Sequence, residues 1–313
     1  MGRSGILAAL GGVAFTGLSV VAIASTGAPA SALDPGRRPI ERVVTLGDSY
    51  SSGVGIHRDG GDFDDDGGEG DECARELDTT PGAKLAAELD ATATMVACSG
   101  AVIGDIADQV AAASIVGDGS GTLLILTIGG NDVRSFHGDN WPNILFECVT
   151  DLSCDDTDRN GIGNIDRLTT DLTDVYVAIG AAYPDVEVRV LGYPRLMQSD
   201  KHWCDGVTGV NHHEADWIDG QVDLLNRVIS SAVESAADAT DADIAFVSVL
   251  DQFDNNGACR FWQRDRYVND LILDGASVSG GSFHPSQKGY DAYFDALSAN
   301  VVPVNLSAGW LSV

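Results

Sequence analysis

Short apolar runs that alternate with helical patterns constrain the fold of this chain more than any other feature. The run Leu123–Ile128 is apolar at all but one position, which is typical of a strand buried on both faces of a parallel sheet. Helical patterns separate such runs, so the sequence predicts an α/β fold with a doubly wound parallel sheet. The predicted strands are Arg42–Leu46, Thr94–Ala97, Leu123–Ile128, Val186–Leu191 and Ile244–Val249, and the predicted helices are Pro81–Leu89, Ile103–Ala113, Ile165–Ala182, Glu214–Ala237 and Ser286–Val301.

Three long segments between these elements are predicted to be loops. Residues 53–76 are rich in Gly and Asp, residues 135–163 form an irregular insertion with two cysteines, and residues 257–281 are again loop-rich. Aromatic residues gather in or near the last two segments, which predicts either an apolar groove for an acyl chain or ordinary packing beneath long loops. These aromatic residues are Trp141, Trp203, Phe253, Phe261, Trp262 and Tyr267.

Residues 1–32 are typical of a secretory signal peptide. Arg3 gives a positive start, an apolar stretch follows to about Ala24, and Ala30-Ser31-Ala32 is an A-x-A cleavage site. A membrane anchor is the alternative, but small residues dilute the apolar stretch and a cleavage motif follows it. No later segment is apolar and long enough to span a bilayer. We therefore expect a secreted, extracellular protein without stable membrane insertion, with residues 33–313 as one monomeric domain.

The cysteines and the charge limit the possible partners further. Six cysteines follow the signal segment, and an even number in an exported chain predicts disulfides. Neighbour pairing is the simplest of the fifteen connectivities. A formal net charge of −29, from 47 acidic and 18 basic residues, disfavours nucleic acids and anionic membrane surfaces as partners. The neighbour pairs are Cys73–Cys98, Cys148–Cys154 and Cys204–Cys259.

Two acidic stretches match the first half of a calcium-binding loop. The candidate ligands are Asp62, Asp64 and Asp66 in the first stretch and Asp156, Asp158 and Asn160 in the second. Neither stretch has the Glu that supplies a bidentate ligand at loop position twelve, where Cys73 and Arg167 stand instead. We therefore expect no cofactor and a solvated acidic surface, with structural calcium as the alternative.

The stretch Gly47-Asp48-Ser49-Tyr50-Ser51 directly follows the first predicted strand. Open parallel sheets bind ligands at the carboxyl ends of their strands, so Ser49 is a candidate nucleophile. The motif is not the G-x-S-x-G elbow of the α/β hydrolases, because Ser51 replaces the second glycine. A plain turn serine is the alternative, since Gly-Asp-Ser is common turn chemistry.

Three other residues at strand ends or before a helix complete a candidate site. Asn131 follows the most buried strand and can donate its side-chain amide to an oxyanion, and Gly100 can offer a bare backbone N–H. His284 precedes the last helix and can take a proton from Ser49. Each residue alone has a non-functional explanation, because Asn131 and Gly100 could be ordinary turn residues and His284 could be a solvated loop histidine. Their joint occurrence predicts convergence on one edge of the sheet.

These motifs resemble those of the SGNH hydrolases, also called the GDSL family, over about residues 42–300. Gly47–Tyr50, Gly100, Gly129–Asp132 and His284 look like four of the family's blocks. The resemblance implies a three-layer α/β/α fold with a flavodoxin-like parallel sheet. It also implies Ser49 as nucleophile, His284 as general base, and an oxyanion hole built from Ser49, Gly100 and Asn131. Size, signal peptide and cysteines look most like the secreted bacterial lipase/esterase branch.

One position departs from the family pattern. The family usually has Asp three residues before the histidine, and Gly281 stands there in this chain. A backbone carbonyl, from Gly281 or Ser282, is predicted to orient the imidazole as part of a Ser–His dyad. Asp270 and Asp274 are the nearest carboxylate alternatives in sequence.

The sequence thus predicts a secreted serine esterase or lipase that hydrolyses carboxylic esters, with lipid esters as the expected substrates. A phospholipase A and a carbohydrate O-acetylesterase are the alternatives within the enzyme class. They differ in the acyl pocket, which is long and apolar for lipids and small for acetate. A secreted binding module with a vestigial site is the non-enzymatic alternative, and the missing carboxylate is what favours it.

Overall fold

The core of the protein is a five-stranded parallel sheet. A computed structural model describes residues 38–57, 73–150, 154–198, 204, 209–260, 266–274 and 277–301. The strand order is β2-β1-β3-β4-β5, all parallel, which is the order of flavodoxin-like sheets. The predicted fold class is therefore confirmed. The strands are β1 (Arg42–Gly47), β2 (Thr92–Met95), β3 (Thr122–Thr127), β4 (Glu187–Leu191) and β5 (Asp243–Val247), and a two-stranded hairpin adds β6 (Leu273–Asp274) and β7 (Ser277–Val278).

Helices cover both faces of the sheet. They are α1 (Ser49–Ser52), α2 (Pro81–Leu89), α3 (Ile106–Ala113), α4 (Trp141–Thr150), α5 (Thr157–Asn160), α6 (Ile165–Ala182), α7 (His212–Ala239), α8 (Leu250–Phe253) and α9 (Gln287–Asn300). Helix α2 packs against α9, while α6 packs against α3 and α7. The central strands β3 and β4 are buried along their whole length because helices lie on both sides.

The helix boundaries follow local capping signals. Helix α7 begins at His212, two residues before the predicted start, because Asn211 caps it. The Asn211 side chain accepts hydrogen bonds from the N–H groups of His213 and Glu214, and the Glu214 carboxylate accepts one from the Asn211 N–H. This reciprocal capping box satisfies backbone donors that the first helical turn leaves unpaired.

The prediction of an irregular segment over residues 135–163 is wrong. Helix α4 and the single turn α5 lie within it, and the Cys148–Cys154 disulfide joins α4 to the segment that precedes α5. Trp141, Ile144, Leu145 and Cys148 recur at helical spacing, and Pro142 sits at a position in the first turn where its missing N–H costs nothing. The short apolar face of α4 was the overlooked signal.

The described cysteines form three disulfides, Cys73–Cys98, Cys148–Cys154 and Cys204–Cys259. Cys98 follows β2, so its disulfide attaches residues 96–101 to the chain segment that precedes α2. Within the described ranges, no helix combines the length and the apolar character needed to cross a membrane. The predicted signal peptide, residues 1–32, and the first calcium candidates, Asp62, Asp64 and Asp66, lie outside the described residues.

Candidate active site

The first part of the site is the turn between β1 and α1. Gly47 adopts φ +114°, and a Cβ at this position would collide with the backbone carbonyl of Thr127 on β3. Only glycine fits such a close approach in the left-handed region. Asp48 then caps α1 by accepting a hydrogen bond from the Tyr50 N–H at 2.9 Å. Ser49 is consequently the first residue of a helix at the carboxyl end of β1, between β2 and β3.

The second part is the turn that carries His284 to the start of α9. The His284 Nε2 lies 2.7 Å from the Ser49 Oγ, and the His284 Nδ1 lies 3.0 Å from the Ser282 carbonyl oxygen. The Ser282 carbonyl can accept the Nδ1–H, which leaves Nε2 free to accept the Ser49 hydroxyl proton. Ser49 and His284, residues 235 positions apart in the chain, are thus joined by a hydrogen bond.

The other groups considered for orienting His284 are engaged elsewhere. The Gly281 carbonyl accepts from the Asn269 side-chain amide at 3.2 Å, and Asp270 forms an ion pair with Arg266. The side chain of Asp274 lies outside the described part of the structure. The acceptor on the imidazole is therefore a neutral main-chain carbonyl, that of Ser282.

Burial sets the protonation state of His284. Removal of the ring from water lowers the pKa of His284 to about 4, although hydrogen bonds with the backbone of Ser282 and Gly280 act in the opposite direction. The imidazole is accordingly neutral at pH 7, which is the form that can act as a base.

Three groups that line one cleft can donate hydrogen bonds to a negative oxygen, and they belong to Ser49, Gly100 and Asn131. The Ser49 N–H has no intrahelical acceptor because the residue begins α1. Gly100 adopts φ +80° with open space where a Cβ would stand, so its backbone faces the cleft. The Asn131 Nδ2 donates one hydrogen bond to the Ala101 carbonyl at 3.0 Å, which fixes the amide and leaves its second N–H for a ligand.

A buried hydrogen-bond chain connects the Ser49 and Asn131 segments. The Gly130 N–H donates to the Tyr193 hydroxyl at 2.8 Å, and this hydroxyl lies 2.5 Å from the Asp48 carboxyl group. Burial raises the pKa of Asp48 to about 7, and the nearby Asp132 carboxylate adds to the rise. Sequence reasoning missed this chain. Its one available signal was that Tyr193, like Ser49 and Asn131, comes directly after a buried strand.

The site opens into an apolar cleft of about 470 Å³. Helix α4 supplies one wall with Trp141, Leu145, Phe146 and Val149, and Phe146 is about half exposed at 53%. Leu196, the α7 residues Val222 and Leu225, Leu271 and Phe283 supply the rest of the apolar lining. A mostly apolar wall with a few polar groups at one end is typical of a small-molecule binding site.

The predicted aromatic residues divide between groove and core. Trp141 lines the cleft, whereas Phe253 is buried and packs edge-on against Tyr267, with ring centroids 5.9 Å apart. Trp203, Phe261 and Trp262 lie outside the described residues.

The second calcium candidate does not form a ligand cluster. Asp156 caps α5 by accepting from the Asp158 N–H at 3.1 Å, and the buried Asn160 donates its amide to the Cys154 carbonyl. The described residues contain no group of three or more His, Cys, Asp or Glu side chains placed to hold a metal ion.

A family model and two similar proteins all point to lipases. A model of the GDSL-like lipase/acylhydrolase family matches residues 45–292. The chain is 32% identical to a lipase of Streptomyces rimosus over 76% of this chain and 80% of that protein. It is 30% identical to Lipase 1 of Streptomyces coelicolor over 91% of this chain and 92% of that protein.

Two solved structures share the architecture over most of the chain. The crystal structure of phospholipase A1 from Streptomyces albidoflavus superimposes with a TM-score of 0.65 at 29% identity, covering 84% of this chain and all of that one. The extracellular lipase of Streptomyces rimosus gives a TM-score of 0.62 at 27% identity, covering 83% of this chain and 99% of that one.

Proposed function

Since the chain belongs to the GDSL-like lipase/acylhydrolase family and is an ester hydrolase of the lipase/esterase type, we propose that it cleaves long-chain acyl esters with Ser49 as nucleophile. The observation that carries this proposal is the 2.7 Å contact between the Ser49 Oγ and the His284 Nε2. That distance lies within hydrogen-bond reach of a base and its nucleophile.

The proposed reaction is acyl transfer through a Ser–His dyad. His284 takes the proton of Ser49, and the Ser49 Oγ attacks the ester carbonyl carbon. The resulting oxyanion accepts hydrogen bonds from the N–H groups of Ser49 and Gly100 and from the Asn131 amide. The imidazolium then protonates the departing alcohol, and His284 activates a water molecule that releases the acid and frees Ser49.

The Ser282 carbonyl takes the orienting role that a carboxylate has in a triad. It holds the Nδ1–H of His284 at 3.0 Å, so the ring keeps the tautomer that presents a bare Nε2 to Ser49. A neutral acceptor stabilises the imidazolium less than a carboxylate does, because charge-assisted hydrogen bonds are roughly twice as strong.

The cleft supports a lipid-like acyl group over acetate. Its volume of about 470 Å³ and its lining of aliphatic and aromatic side chains far exceed what an acetyl group fills. A phospholipid is the second candidate substrate, because one structural neighbour is a phospholipase A1. The dyad contact argues against a binding module with a vestigial site.

Secretion is part of the same proposal. A structural neighbour is an extracellular lipase, and three disulfides are typical of proteins from oxidising compartments. No step of the proposed reaction uses a metal ion or an organic cofactor.

A substitution of the nucleophile tests the proposal. We expect Ser49→Ala to keep the wild-type circular dichroism spectrum and lose hydrolysis of p-nitrophenyl esters and of phosphatidylcholine, because it removes the hydroxyl that lies 2.7 Å from the His284 Nε2. Ser235→Ala, an exposed serine on α7, is the matched control and should keep full activity. Activity of Ser49→Ala equal to that of the wild type would overturn the proposal. The relative rates of the wild-type protein on p-nitrophenyl esters and on phosphatidylcholine would separate an esterase from a phospholipase.

A further inference from the structure

The main-chain acceptor on His284 raises the question of what holds that carbonyl in place. A carboxylate that orients a histidine lies on a side chain of its own. The Ser282 carbonyl is instead part of the backbone of the turn that carries the His284 imidazole, so its direction depends on the conformation of that turn. The next residue, Phe283, adopts φ +59° and is 6% exposed. A bulky residue in the left-handed region is unfavourable and persists only where surrounding contacts enforce it.

Two sets of hydrogen bonds hold the residues on either side of Phe283. The Ser282 hydroxyl accepts from the Ile272 N–H at 2.9 Å and donates to the Ile272 carbonyl at 3.2 Å. The Asn269 N–H donates to the His284 carbonyl at 2.9 Å. These bonds fix the two ends of the turn, Ser282 and His284, but they do not reach the Phe283 peptide between them.

Two hydrogen bonds reach that peptide. The His284 N–H donates to the Gly281 carbonyl at 3.4 Å within the turn itself, and the shorter bond comes from the nucleophile segment. The Tyr50 hydroxyl donates a hydrogen bond to the Phe283 carbonyl at 2.8 Å. The Tyr50 ring lies beside the imidazole of His284, with centroids 4.9 Å apart and planes at 36°. The ring also meets Tyr193 edge-on at 5.0 Å, so Tyr50 is itself held on two sides.

We propose that Tyr50 is the positioning residue of this dyad, and that its hydroxyl fixes the Phe283 peptide so that the Ser282 carbonyl stays aimed at the His284 Nδ1. The inference rests on the proposed function, because it assigns a role in that same site. Tyr50 directly follows Ser49 in the chain, so one side chain sets the position of the base relative to the nucleophile. This link supports the Ser282 carbonyl, which has the orienting role of the carboxylate that position 281 lacks.

The test compares two tyrosines that make the same kind of hydrogen bond. Tyr50→Phe keeps the ring beside His284 and removes only the hydroxyl. Tyr293→Phe is the matched control, because the buried Tyr293 hydroxyl donates to the Gly192 carbonyl at the same distance of 2.8 Å. Both variants lose one hydrogen bond to a backbone carbonyl, so a purely structural role predicts similar losses of thermal stability and no difference in turnover.

We expect kcat of Tyr50→Phe for a p-nitrophenyl ester to fall about 10-fold, the equivalent of one hydrogen bond, with KM within about twofold of wild type. Labelling of Ser49 by an organophosphonate should slow by a similar factor. The downfield Nδ1–H proton resonance of His284 should broaden or vanish in the NMR spectrum of Tyr50→Phe and persist in that of Tyr293→Phe.

Wild-type kcat together with an unchanged Nδ1–H resonance in Tyr50→Phe would overturn the inference. Equal losses of kcat in the two variants would overturn it as well, because they would assign the effect to stability. Failure of the proposed function is distinguishable, since it would appear as activity in Ser49→Ala, whereas failure of this inference alone leaves Ser49→Ala inactive.

Discussion

At the scale of single residues, the proposed role of His284 as the base makes activity depend on the protonation state of its imidazole. Below its pKa the imidazole is protonated and cannot accept the Ser49 proton, so activity falls as the pH drops through that value. Because burial lowers the pKa of His284 to about 4, we expect the acid limb of kcat/KM near pH 4, well below the usual histidine value of about 6.5. A pH–rate profile with a neutral ester measures it, and an acid limb at pH 6 or above would contradict the expectation.

A carboxylate placed at position 281 should move that limb. A Cβ on Gly281 would meet its nearest neighbours at 3.6 Å, which is ordinary van der Waals contact, so Gly281→Asp should fold. A negative charge near the imidazole favours its protonated form and raises its pKa, typically by one unit or more. We expect the acid limb of Gly281→Asp to lie about one pH unit above that of Gly281→Asn, the uncharged control of equal size. Coincident limbs would mean that the new carboxylate does not interact with His284.

The residues proposed to carry chemistry could be predicted from the sequence, but the residues that support them could not. Ser49, Gly100, Asn131 and His284 stand in recognisable motifs at strand ends. Tyr193 contacts Asp48 across 145 positions of chain, and no local pattern encodes such a pairing. The choice of Ser282 over Gly281 as acceptor depends on the φ of Phe283, which only the folded turn defines.

At the scale of secondary-structure elements, α4 forms one wall of the apolar cleft that we propose binds the acyl group. Its side chains from Trp141 to Val149 line one side, and the Cys148–Cys154 disulfide fixes its last turns. The strands were predicted because apolar runs are typical of strands that are buried in a parallel sheet. Helix α4 was missed because a ten-residue amphipathic pattern inside a polar insertion gives a weak signal.

Removal of this disulfide should alter acyl-chain preference more than catalysis. The double variant Cys148→Ala/Cys154→Ala should lose about 2 kcal/mol of unfolding free energy, as expected for a short closed loop. We expect kcat/KM for long-chain p-nitrophenyl esters to fall more than for short-chain esters, because the cleft wall loosens while Ser49 and His284 stay in place. The control is the wild-type protein assayed in enough urea to lower its unfolding free energy by the same amount as the double substitution does. A uniform loss across chain lengths would argue against α4 as the acyl wall.

At the scale of the whole molecule, buried carboxyl groups make stability depend on pH in a definite direction. Burial raises the pKa of Asp48 to about 7 and those of Asp132 and Asp219 to about 6. The folded protein therefore binds more protons than the unfolded chain between about pH 4 and pH 7, so stability falls as the pH rises through this range. The lowered pKa of His284 opposes this trend between pH 4 and 6.5. The effect of the three acids is expected to be larger than that of the single histidine.

We expect the melting temperature to be higher at pH 5 than at pH 8. Asp48→Asn is the diagnostic variant, because an amide copies the protonated acid and can still accept from the Tyr50 N–H. Its unfolding free energy, measured with urea, should fall less steeply between pH 5 and 7, by at most about 1.4 kcal/mol per pH unit. Identical slopes in the two proteins would show that Asp48 is already ionised at pH 5.

The apolar cleft that opens at the sheet edge also has a consequence for product release. An ester enters as a neutral molecule, whereas the fatty acid that forms from it leaves as an anion at pH 7. The chain carries a formal net charge of −29, and like charges repel across the surface potential of a protein. For the proposed reaction, we therefore expect the net negative charge to favour release of the acid anion and to leave binding of the neutral ester unaffected.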